Sequence, residues 1–272
     1  MSLKRLITTA IGLPVVILIL LYGNKYVMDI VIAVVATISI YEYSRCCKEK
    51  AKIISWVGYV CAISIAFIHI IPEHIIELIK LSVMPTLLFV LFLHAILSNM
   101  KISFEDIVYT FFGVFYICGC LLFMSLTYGI EGNIPGTILI WYMMFAAWST
   151  DTFAYLIGRN FGKHHFSKVS PNKTIEGCIA GTILAIIIII GFTFVINKYF
   201  GYNISYMTIG IIGLILSIIG QIGDFAASVI KRHFKIKDFS ELFPGHGGMI
   251  DRMDSVMFIA PFAYILLTQL IK

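Results

Sequence analysis

The sequence predicts an all-α protein, a polytopic bundle of about nine transmembrane helices. Hydrophobic residues make up 60% of the 272 residues and charged residues only 13%, against an ordinary charged share of roughly 25%. The apolar residues also fall into separate runs, and a membrane-spanning helix needs about 20 of them. These runs lie at about 6–23, 26–45, 53–72, 75–97, 104–128, 136–158, 175–197, 206–231 and 253–271.

The individual runs differ in how well they suit a membrane. The first follows a basic start and is similar to a signal peptide. No small-x-small cleavage site follows it, so we expect a retained helix. The fourth run is the weakest because it contains Glu77, Lys80 and Pro85. The eighth is long, and we expect it to continue beyond the membrane.

Basic residues are distributed unevenly between the two sides of this bundle. With the N-terminus in the cytoplasm, sixteen of the 20 lysines and arginines fall in cytoplasmic segments and three fall on the opposite side. Cytoplasmic loops of membrane proteins carry such an excess. The pattern predicts nine spans with a cytoplasmic N-terminus and a C-terminus on the opposite side, because eight or ten spans would break the alternation.

Residues 148–177, "WSTDTFAYLIGRNFGKHHFSKVSPNKTIEG", form a first polar constellation. Asp151 lies in an otherwise apolar span, where an ionisable residue is costly and is a functional candidate by default. Lys173 lies at the expected start of the next helix, where the helix dipole also favours anions. The structural alternative is a basic interfacial loop whose long side chains extend toward water.

A second constellation covers residues 221–254, "QIGDFAASVIKRHFKIKDFSELFPGHGGMIDRMD". Asp224 lies deep in the eighth span and has the weakest structural alternative. Glycines in "PGHGG" permit backbone conformations closed to other residues and allow a ligand to approach closely. Three charged residues follow at the start of the last span. The polar residues of this constellation include Asp224, Ser228, Lys231, Arg232, Lys237, His246, Asp251, Arg252 and Asp254.

Acidic and basic side chains close together at a membrane surface are typical of a site that binds a nucleotide with Mg²⁺. Mg²⁺ is usually held by one or two carboxylates together with substrate phosphates and waters, while lysine and arginine neutralise phosphate charge. Other structural alternatives also stay open, since Asp254 could cap a helix, His246 could be a simple turn residue and Lys235 could contact anionic lipid. The sequence contains no G-x-x-x-x-G-K-[ST] phosphate loop and no G-x-S-x-G nucleophile elbow.

Residues 228–254 resemble the signature of the phosphatidate cytidylyltransferase family, the CDP-diacylglycerol synthases. The pattern runs from a serine through Lys-Arg, Lys-Asp and Pro-x-His-Gly-Gly to Asp-Arg-x-Asp, without a departure here. The likeness covers about 151–254, and the first half resembles the family only in having several spans. The matching residues are Ser228, Lys231, Arg232, Lys237, Asp238, Ser240, Phe243, Pro244, His246, Gly247, Gly248, Asp251, Arg252 and Asp254.

The resemblance implies that CTP and phosphatidate give CDP-diacylglycerol and pyrophosphate, in phospholipid biosynthesis, with Mg²⁺ required. It also implies that Asp224 and Asp251 bind the catalytic cations, and it leaves open a monovalent ion such as K⁺ beside the divalent one. We expect catalytic roles for Lys173, Lys231, Arg232 and Asp254. We expect substrate contacts from Asp151, Ser228, Lys237, His246, Gly247, Gly248 and Arg252.

These expectations set the organisation and surroundings of the protein. Residues 1–135 form an N-terminal set of five spans, and residues 136–272 form a catalytic portion of four spans. The partners are CTP, phosphatidate and membrane lipids, a homodimer is an open alternative, and no nucleic acid is expected. A compact chain without a polar N-terminal extension favours a bacterial cytoplasmic membrane, with the active site facing the cytoplasm.

Three other functions compete with this hypothesis. A CTP-dependent polyprenol-type lipid kinase would transfer the γ-phosphate and release CDP, and the complete signature argues against it. A transporter would use Asp151 and Asp224 for ion coupling, but no convincing internal repeat of the kind found in transporters occurs. A CDP-alcohol phosphotransferase would need a D-G-x-x-A-R pattern, which the sequence lacks.

Overall fold

The computed structural model describes residues 3–99, 101–167, 169–171 and 173–270. This part of the chain is 79% helix and contains no strand. The α-helices are α1 (Leu3–Tyr22), α2 (Lys25–Cys47), α3 (Ser55–Ser64), α4 (Glu73–Leu97), α5 (Phe104–Val114), α6 (Cys120–Tyr128), α7 (Gly136–Phe161), α8 (Ile175–Phe200), α9 (Tyr206–His233) and α10 (Met249–Leu267). The remaining helical turns are Ile65–Ile70, Phe115–Gly119 and Thr268–Leu270.

Each predicted span corresponds to one helix or to one continuous run of helical turns. The fifth span, for example, is α5, a π-helical turn and α6 in succession. Among the described residues, six segments are long and apolar enough to cross a membrane, and α7 with its Asp151 is not one of them. An all-helical protein with candidate membrane-spanning segments is therefore confirmed, and the count of nine spans stays a prediction. The six segments are 25–47, 73–97, 104–128, 175–200, 206–233 and 250–270.

The chain divides into two compact units. Unit 1 comprises residues 1–126 and 236–252, and unit 2 comprises residues 127–235 and 253–272. The glycine-rich loop near the C-terminus therefore groups with the first half of the chain. The sequence-based division at residue 135 separates the first five predicted spans from the last four, and it stays a prediction about function.

Close contacts and buried polar groups hold unit 1 together. A Cβ atom at Gly113 would overlap the ring of Tyr43, so only glycine lets α5 approach α2 this closely. The Tyr43 hydroxyl donates to the carbonyl oxygen of Tyr109 at 3.1 Å. Asp29 of α2 is fully buried, and its carboxylate lies 2.8 Å from Nδ1 of His69 and accepts a hydrogen bond from Ser125.

Small residues allow the helices of unit 2 to approach one another. Gly177 and Gly181 of α8 are spaced as in the small-xxx-small pattern of membrane helix pairs. A Cβ atom at Gly177 would lie 2.5 Å from the carbonyl oxygen of Ala154, and one at Gly181 would lie 2.7 Å from that of Thr150. The glycine pair therefore sets the close contact between α7 and α8.

Polar side chains link the same helices inside unit 2. The hydroxyl groups of Thr150 and Ser217 lie 2.7 Å apart, and Ser217 donates to Thr182 at 3.1 Å. Gln221 donates to Thr182 at 2.8 Å. These hydrogen bonds fix the rotation of α9 against α7 and α8, since each buried polar group would otherwise lose its partner.

Candidate active site

The structure distributes the predicted site residues over both units. Unit 1 holds Lys237, His246, Gly247, Gly248, Asp251 and Arg252. Unit 2 holds Asp151, Lys173, Asp224, Ser228, Lys231, Arg232 and Asp254. Each unit therefore contains its own group of polar residues from the two constellations.

Three acidic residues of unit 2 lie near one another. Asp254 of α10 is only 8% exposed, and the carboxylates of Asp224 and Asp151 both act on it electrostatically. Ser255 joins two of these acids: its backbone N–H donates to Asp254 Oδ1 at 2.8 Å, and its hydroxyl donates to Asp151 Oδ2 at 2.9 Å. The structure thus brings together three acids that the sequence places on α7, α9 and α10.

A glycine on α9 makes this arrangement possible. A Cβ atom at Gly223 would lie 2.8 Å from the carbonyl oxygen of Asp254 and 2.7 Å from Cβ of Phe258. Helices α9 and α10 therefore pack backbone to backbone beside Asp224. Any larger residue at position 223 would separate two of the acids.

Basic side chains partly balance the acidic cluster. The ammonium group of Lys173 forms an ion pair with Asp224 and lies 4.6 Å from the centroid of the Phe225 ring. Both partners are largely shielded, with side-chain exposures of 20% and 24%. Lys231 acts electrostatically on Asp254. We call Asp151, Lys173, Asp224, Lys231 and Asp254 the unit 2 cluster.

The loop before α8 holds Lys173 in place. The backbone N–H of Phe166 donates to the Lys173 carbonyl oxygen at 2.9 Å, and that of Ile175 donates to His164 at 2.9 Å. Thr174 is the N-cap of α8, and its side chain accepts from the Gly177 N–H at 3.2 Å. Lys173 therefore directly precedes the N-cap, which confirms its predicted place at a helix start.

Two other predicted residues of unit 2 lie on α9 near its C-terminal end. Arg232 is exposed, and its Nε donates to the carbonyl oxygen of Val169 at 3.4 Å. This bond ties the loop before α8 to α9. Ser228 is half-buried. The expected catalytic role of Arg232 and the expected substrate contact of Ser228 stay predictions.

The donor chemistry of the unit 2 cluster suits a hard divalent cation. Carboxylate oxygens are the protein ligands that Mg²⁺ prefers, and one or two of them suffice when phosphates and waters complete the shell. Among the described residues, no group of three or more His, Cys, Asp or Glu side chains could hold a metal by itself. The predicted binding of Mg²⁺ therefore stays a prediction.

An apolar groove of about 700 Å³ runs along unit 2 beside this cluster. Helices α8 and α9 form its walls from Cys178 to Ile183 and from Leu214 to Val229, and Phe166, Ser167 and Val169 lie at one end. Phe225 lines the groove and also carries Lys173 over its ring. It stacks on Phe166 with centroids 4.7 Å apart. The groove thus begins where the cluster lies.

The glycine-rich loop of unit 1 adopts the conformation that its composition predicts. Gly245 and Gly247 both have a φ of +81°, a region that residues with a Cβ atom rarely enter. The backbone N–H of Phe243 donates to Gly247 at 2.9 Å, and that of His246 donates to Phe243 at 2.8 Å. The prediction that glycine is needed for backbone conformation is therefore confirmed at these two positions.

Asp251 is the one acid among the predicted site residues of unit 1. It is 7% exposed, and its Oδ2 accepts from the backbone N–H groups of Phe239 and Gly248, both at 2.9 Å. A Cβ atom at Gly247 would lie 2.8 Å from the same oxygen. Asp251 therefore holds the loop to the first turn of α10, while its cation-binding role stays a prediction.

The other predicted residues of unit 1 surround this loop. His246 is half-buried at its tip, and Gly248 is buried at its end. Lys237 and Arg252 are exposed on either side. Their expected contacts with substrate stay predictions.

Sequence reasoning missed Glu42 of α2. Its side chain is 2% exposed and accepts hydrogen bonds from the two ends of the glycine-rich loop. A signal was present, because Glu42 is an ionisable residue inside a predicted span, the same criterion that singled out Asp151. Asp29 meets this criterion too, and it is also buried.

Long apolar helices are typical of an integral membrane protein. The acidic and basic side chains beside an apolar groove suit a ligand that has both a phosphate and a lipid part. The family model described as "Cytidylyltransferase family" matches residues 3–270. The chain therefore belongs to the cytidylyltransferase family, and it is an enzyme of the nucleotidyltransferase class.

Individual relatives agree with this assignment over nearly their whole length. The phosphatidate cytidylyltransferase of Staphylococcus aureus (strain COL) is 34% identical over 269 residues, which cover 97% of this chain and 98% of the relative. That of Staphylococcus haemolyticus (strain JCSC1435) is 34% identical over 270 residues, 98% and 99% of the two chains. That of Bacillus subtilis (strain 168) is 30% identical over 272 residues, 98% of each chain.

Proposed function

We propose that this enzyme transfers the cytidylyl group of CTP to phosphatidate, which gives CDP-diacylglycerol and pyrophosphate. The observation that carries the proposal is the family match over residues 3–270, with the signature that it includes. The unit 2 cluster supports it, because paired acids and bases beside an apolar groove suit a substrate that is both anionic and lipid.

The chain needs no strong general base for this reaction. The nucleophile is the phosphate of phosphatidate, a monoester whose second pKa is about 6, so it is largely ionised near neutral pH. It attacks the α-phosphorus of CTP, the bond to the β-phosphate breaks, and pyrophosphate leaves. Catalysis then consists mainly of positioning the two phosphates and neutralising their charge.

Basic side chains supply the neutralisation in this proposal. Lys173 and Lys231 of the unit 2 cluster, together with Arg232, stabilise the charge that develops on the transferred phosphate. The ion pair with Asp224 keeps Lys173 oriented until phosphate arrives. Asp151 and Asp254 contact cytidine and ribose or orient the groups that do.

Asp224 and Asp251 are the proposed cation ligands. When bound, Mg²⁺ neutralises phosphate oxygens and helps the pyrophosphate to leave. The family resemblance supports the choice of these two acids, and the hard oxygen donors of the unit 2 cluster support the choice of metal. A monovalent ion such as K⁺ beside Mg²⁺ is part of the proposal. Chelation by EDTA should then abolish activity, and Mg²⁺ should restore it.

The surroundings of the enzyme follow from its composition. We propose nine spans in the cytoplasmic membrane of a bacterium, with the N-terminus and the active site on the cytoplasmic side. The excess of basic residues on that side supports this orientation. The lipid reaches the site from the bilayer and CTP reaches it from water. A homodimer remains an open alternative.

The test is product formation by the purified enzyme in liposomes with phosphatidate, Mg²⁺ and CTP labelled at the α-phosphate. We expect label in lipid, an equal amount of pyrophosphate, and loss of both in Asp251→Ala. Transfer of label from the γ-phosphate to a lipid alcohol would support a kinase instead. If a folded enzyme performs neither transfer, the proposal is wrong and a transporter becomes the better hypothesis.

A further inference from the structure

Glu42 connects α2 to the glycine-rich loop within unit 1. Its Oε1 accepts hydrogen bonds from the Ser240 hydroxyl at 2.5 Å and from the Met249 N–H at 2.8 Å. Its Oε2 accepts from the Ile250 N–H at 3.0 Å. Ser240 begins the loop, and the other two residues end it. One carboxylate therefore fixes both ends of residues 240–250.

The first turn of α10 favours a negatively charged hydrogen-bond acceptor. Met249 and Ile250 lie in the first turn of α10, where backbone N–H groups have no partner inside the helix. The positive end of the helix dipole also favours a carboxylate there. A hydrogen bond to an ionised oxygen is roughly twice as strong as a neutral one. A buried carboxylate with three donors is thus a stable anchor.

The loop is shaped to accept this carboxylate. A Cβ atom at Gly248 would lie 2.6 Å from Glu42 Oε2, so any larger residue would displace the acid or the loop. The backbone N–H of the same Gly248 donates to Asp251 at 2.9 Å. Gly248 is therefore in contact with both acids. If the Glu42 side chain moves, Gly248 moves with it and its hydrogen bond to Asp251 changes.

We infer that Glu42 is a positioning residue for the reaction, acting through the glycine-rich loop on Asp251 and His246. The inference rests on the proposed function, in which Asp251 binds a cation and His246 contacts substrate. It adds a residue from the N-terminal half of the chain, outside the signature, to the groups on which the reaction depends. Loss of the anchor should move the loop without disturbing the helices.

The test compares Glu42→Gln with Glu49→Gln, a matched variant of an exposed glutamate just after α2. The substitution at position 42 keeps the shape of the side chain but places an N–H₂ group against N–H donors. We expect the Mg²⁺ concentration for half-maximal activity to rise about 10- to 100-fold, as for residues that orient metal ligands. We also expect faster hydrogen exchange at the amides of Met249 and Ile250. Glu49→Gln should match the wild type.

A second variant approaches the same contact from the other side. Gly248→Ala should raise the Mg²⁺ concentration for half-maximal activity by a similar factor. The double variant should need no more Mg²⁺ than either single variant, because both substitutions break the same interaction. If Glu42→Gln does not fold, Ser240→Ala, which removes one donor to the same carboxylate, takes its place.

Wild-type Mg²⁺ dependence in a folded Glu42→Gln, or in Gly248→Ala, would overturn the inference and leave Glu42 a structural anchor only. If the wild-type enzyme itself forms no CDP-diacylglycerol, the proposed function fails instead. The exchange rates at residues 249 and 250 still report the anchor in that case.

Discussion

At the scale of residues, the protein places charges where an apolar chain should avoid them. Asp254 is nearly buried among Asp151 and Asp224, although an ionised carboxylate is costly to remove from water. Lys173 and Lys231 offset part of this cost. Like charges kept together inside a protein usually serve function rather than stability.

This imbalance predicts opposite effects of one substitution on activity and stability. Asp254→Asn keeps the side-chain volume and can still accept from the Ser255 N–H, but it replaces one of three clustered carboxyl groups with an amide. We expect activity to fall by about 100-fold or more, while the unfolding temperature in detergent stays the same or rises. Transfer assays and thermal unfolding of the same samples measure both.

The control is Glu241→Gln, which neutralises an exposed acid and should change neither quantity. A marked drop in the unfolding temperature of Asp254→Asn would instead show that Asp254 stabilises the fold. Near-normal activity would remove it from the catalytic group.

At the scale of helices, contacts between glycines and backbone bring the polar residues together. Gly177 and Gly181 allow α8 to touch α7, and Gly223 allows α9 to touch α10. In lipid there is little hydrophobic drive for helices to associate, so close packing and hydrogen bonds must supply it. The α8 and α9 surfaces that remain uncovered form the groove that begins beside Phe225.

We propose that this groove holds an acyl chain of phosphatidate. Residues 214–229 of α9 extend about 22 Å, more than the roughly 15 Å depth of one leaflet. The groove starts beside Lys173, so a chain lying in it would present its phosphate to that ammonium group. A bulky residue in the groove should therefore impair long-chain substrates selectively.

Ile218→Trp tests this, because Ile218 lines the groove and is 47% exposed. We expect its KM for long-chain phosphatidate to rise about tenfold, with little change for a short-chain substrate or for CTP. The matched control is Ile211→Trp, on the same helix, 49% exposed and outside the groove lining. Equal effects of both variants, or equal effects on both chain lengths, would refute the groove as the acyl site.

At the scale of the whole molecule, the sequence was informative wherever one local property decides the structure. Apolar runs located all the helices, and the predicted fifth span, 104–128, agrees with α5 to α6 at both ends. Lys173 lies at the start of α8, where the sequence placed it, directly before the N-cap residue Thr174. Local composition also predicted the positive φ of Gly245 and Gly247, since few other residues tolerate it.

Contacts between distant parts of the chain were beyond sequence reasoning. Glu42 and Ile250 are 208 residues apart in the sequence, and nothing in the sequence around either residue predicts that they form a hydrogen bond. The π-helical turn at Phe115–Gly119 likewise leaves no mark in an apolar run. Hydrophobic pattern identifies a buried face but not its partner, so the grouping of residues 236–252 with the first half needed the structure.

The number of spans can be tested because it decides where the chain ends. Nine spans place the two termini on opposite sides of the membrane, whereas an even count, such as the six long apolar segments alone, places them on the same side. We expect a fluorescent protein fused to the N-terminus to fluoresce and one fused to the C-terminus to stay dark, because it folds poorly after export. Alkaline phosphatase at the C-terminus should be active, since it matures only outside the cytoplasm.

Each fusion must retain transferase activity, which shows that the tag has not inverted the bundle. A fluorescent C-terminal fusion with inactive phosphatase would mean an even count, and the basic residues assigned to the cytoplasm would then need a different distribution of helices to explain them.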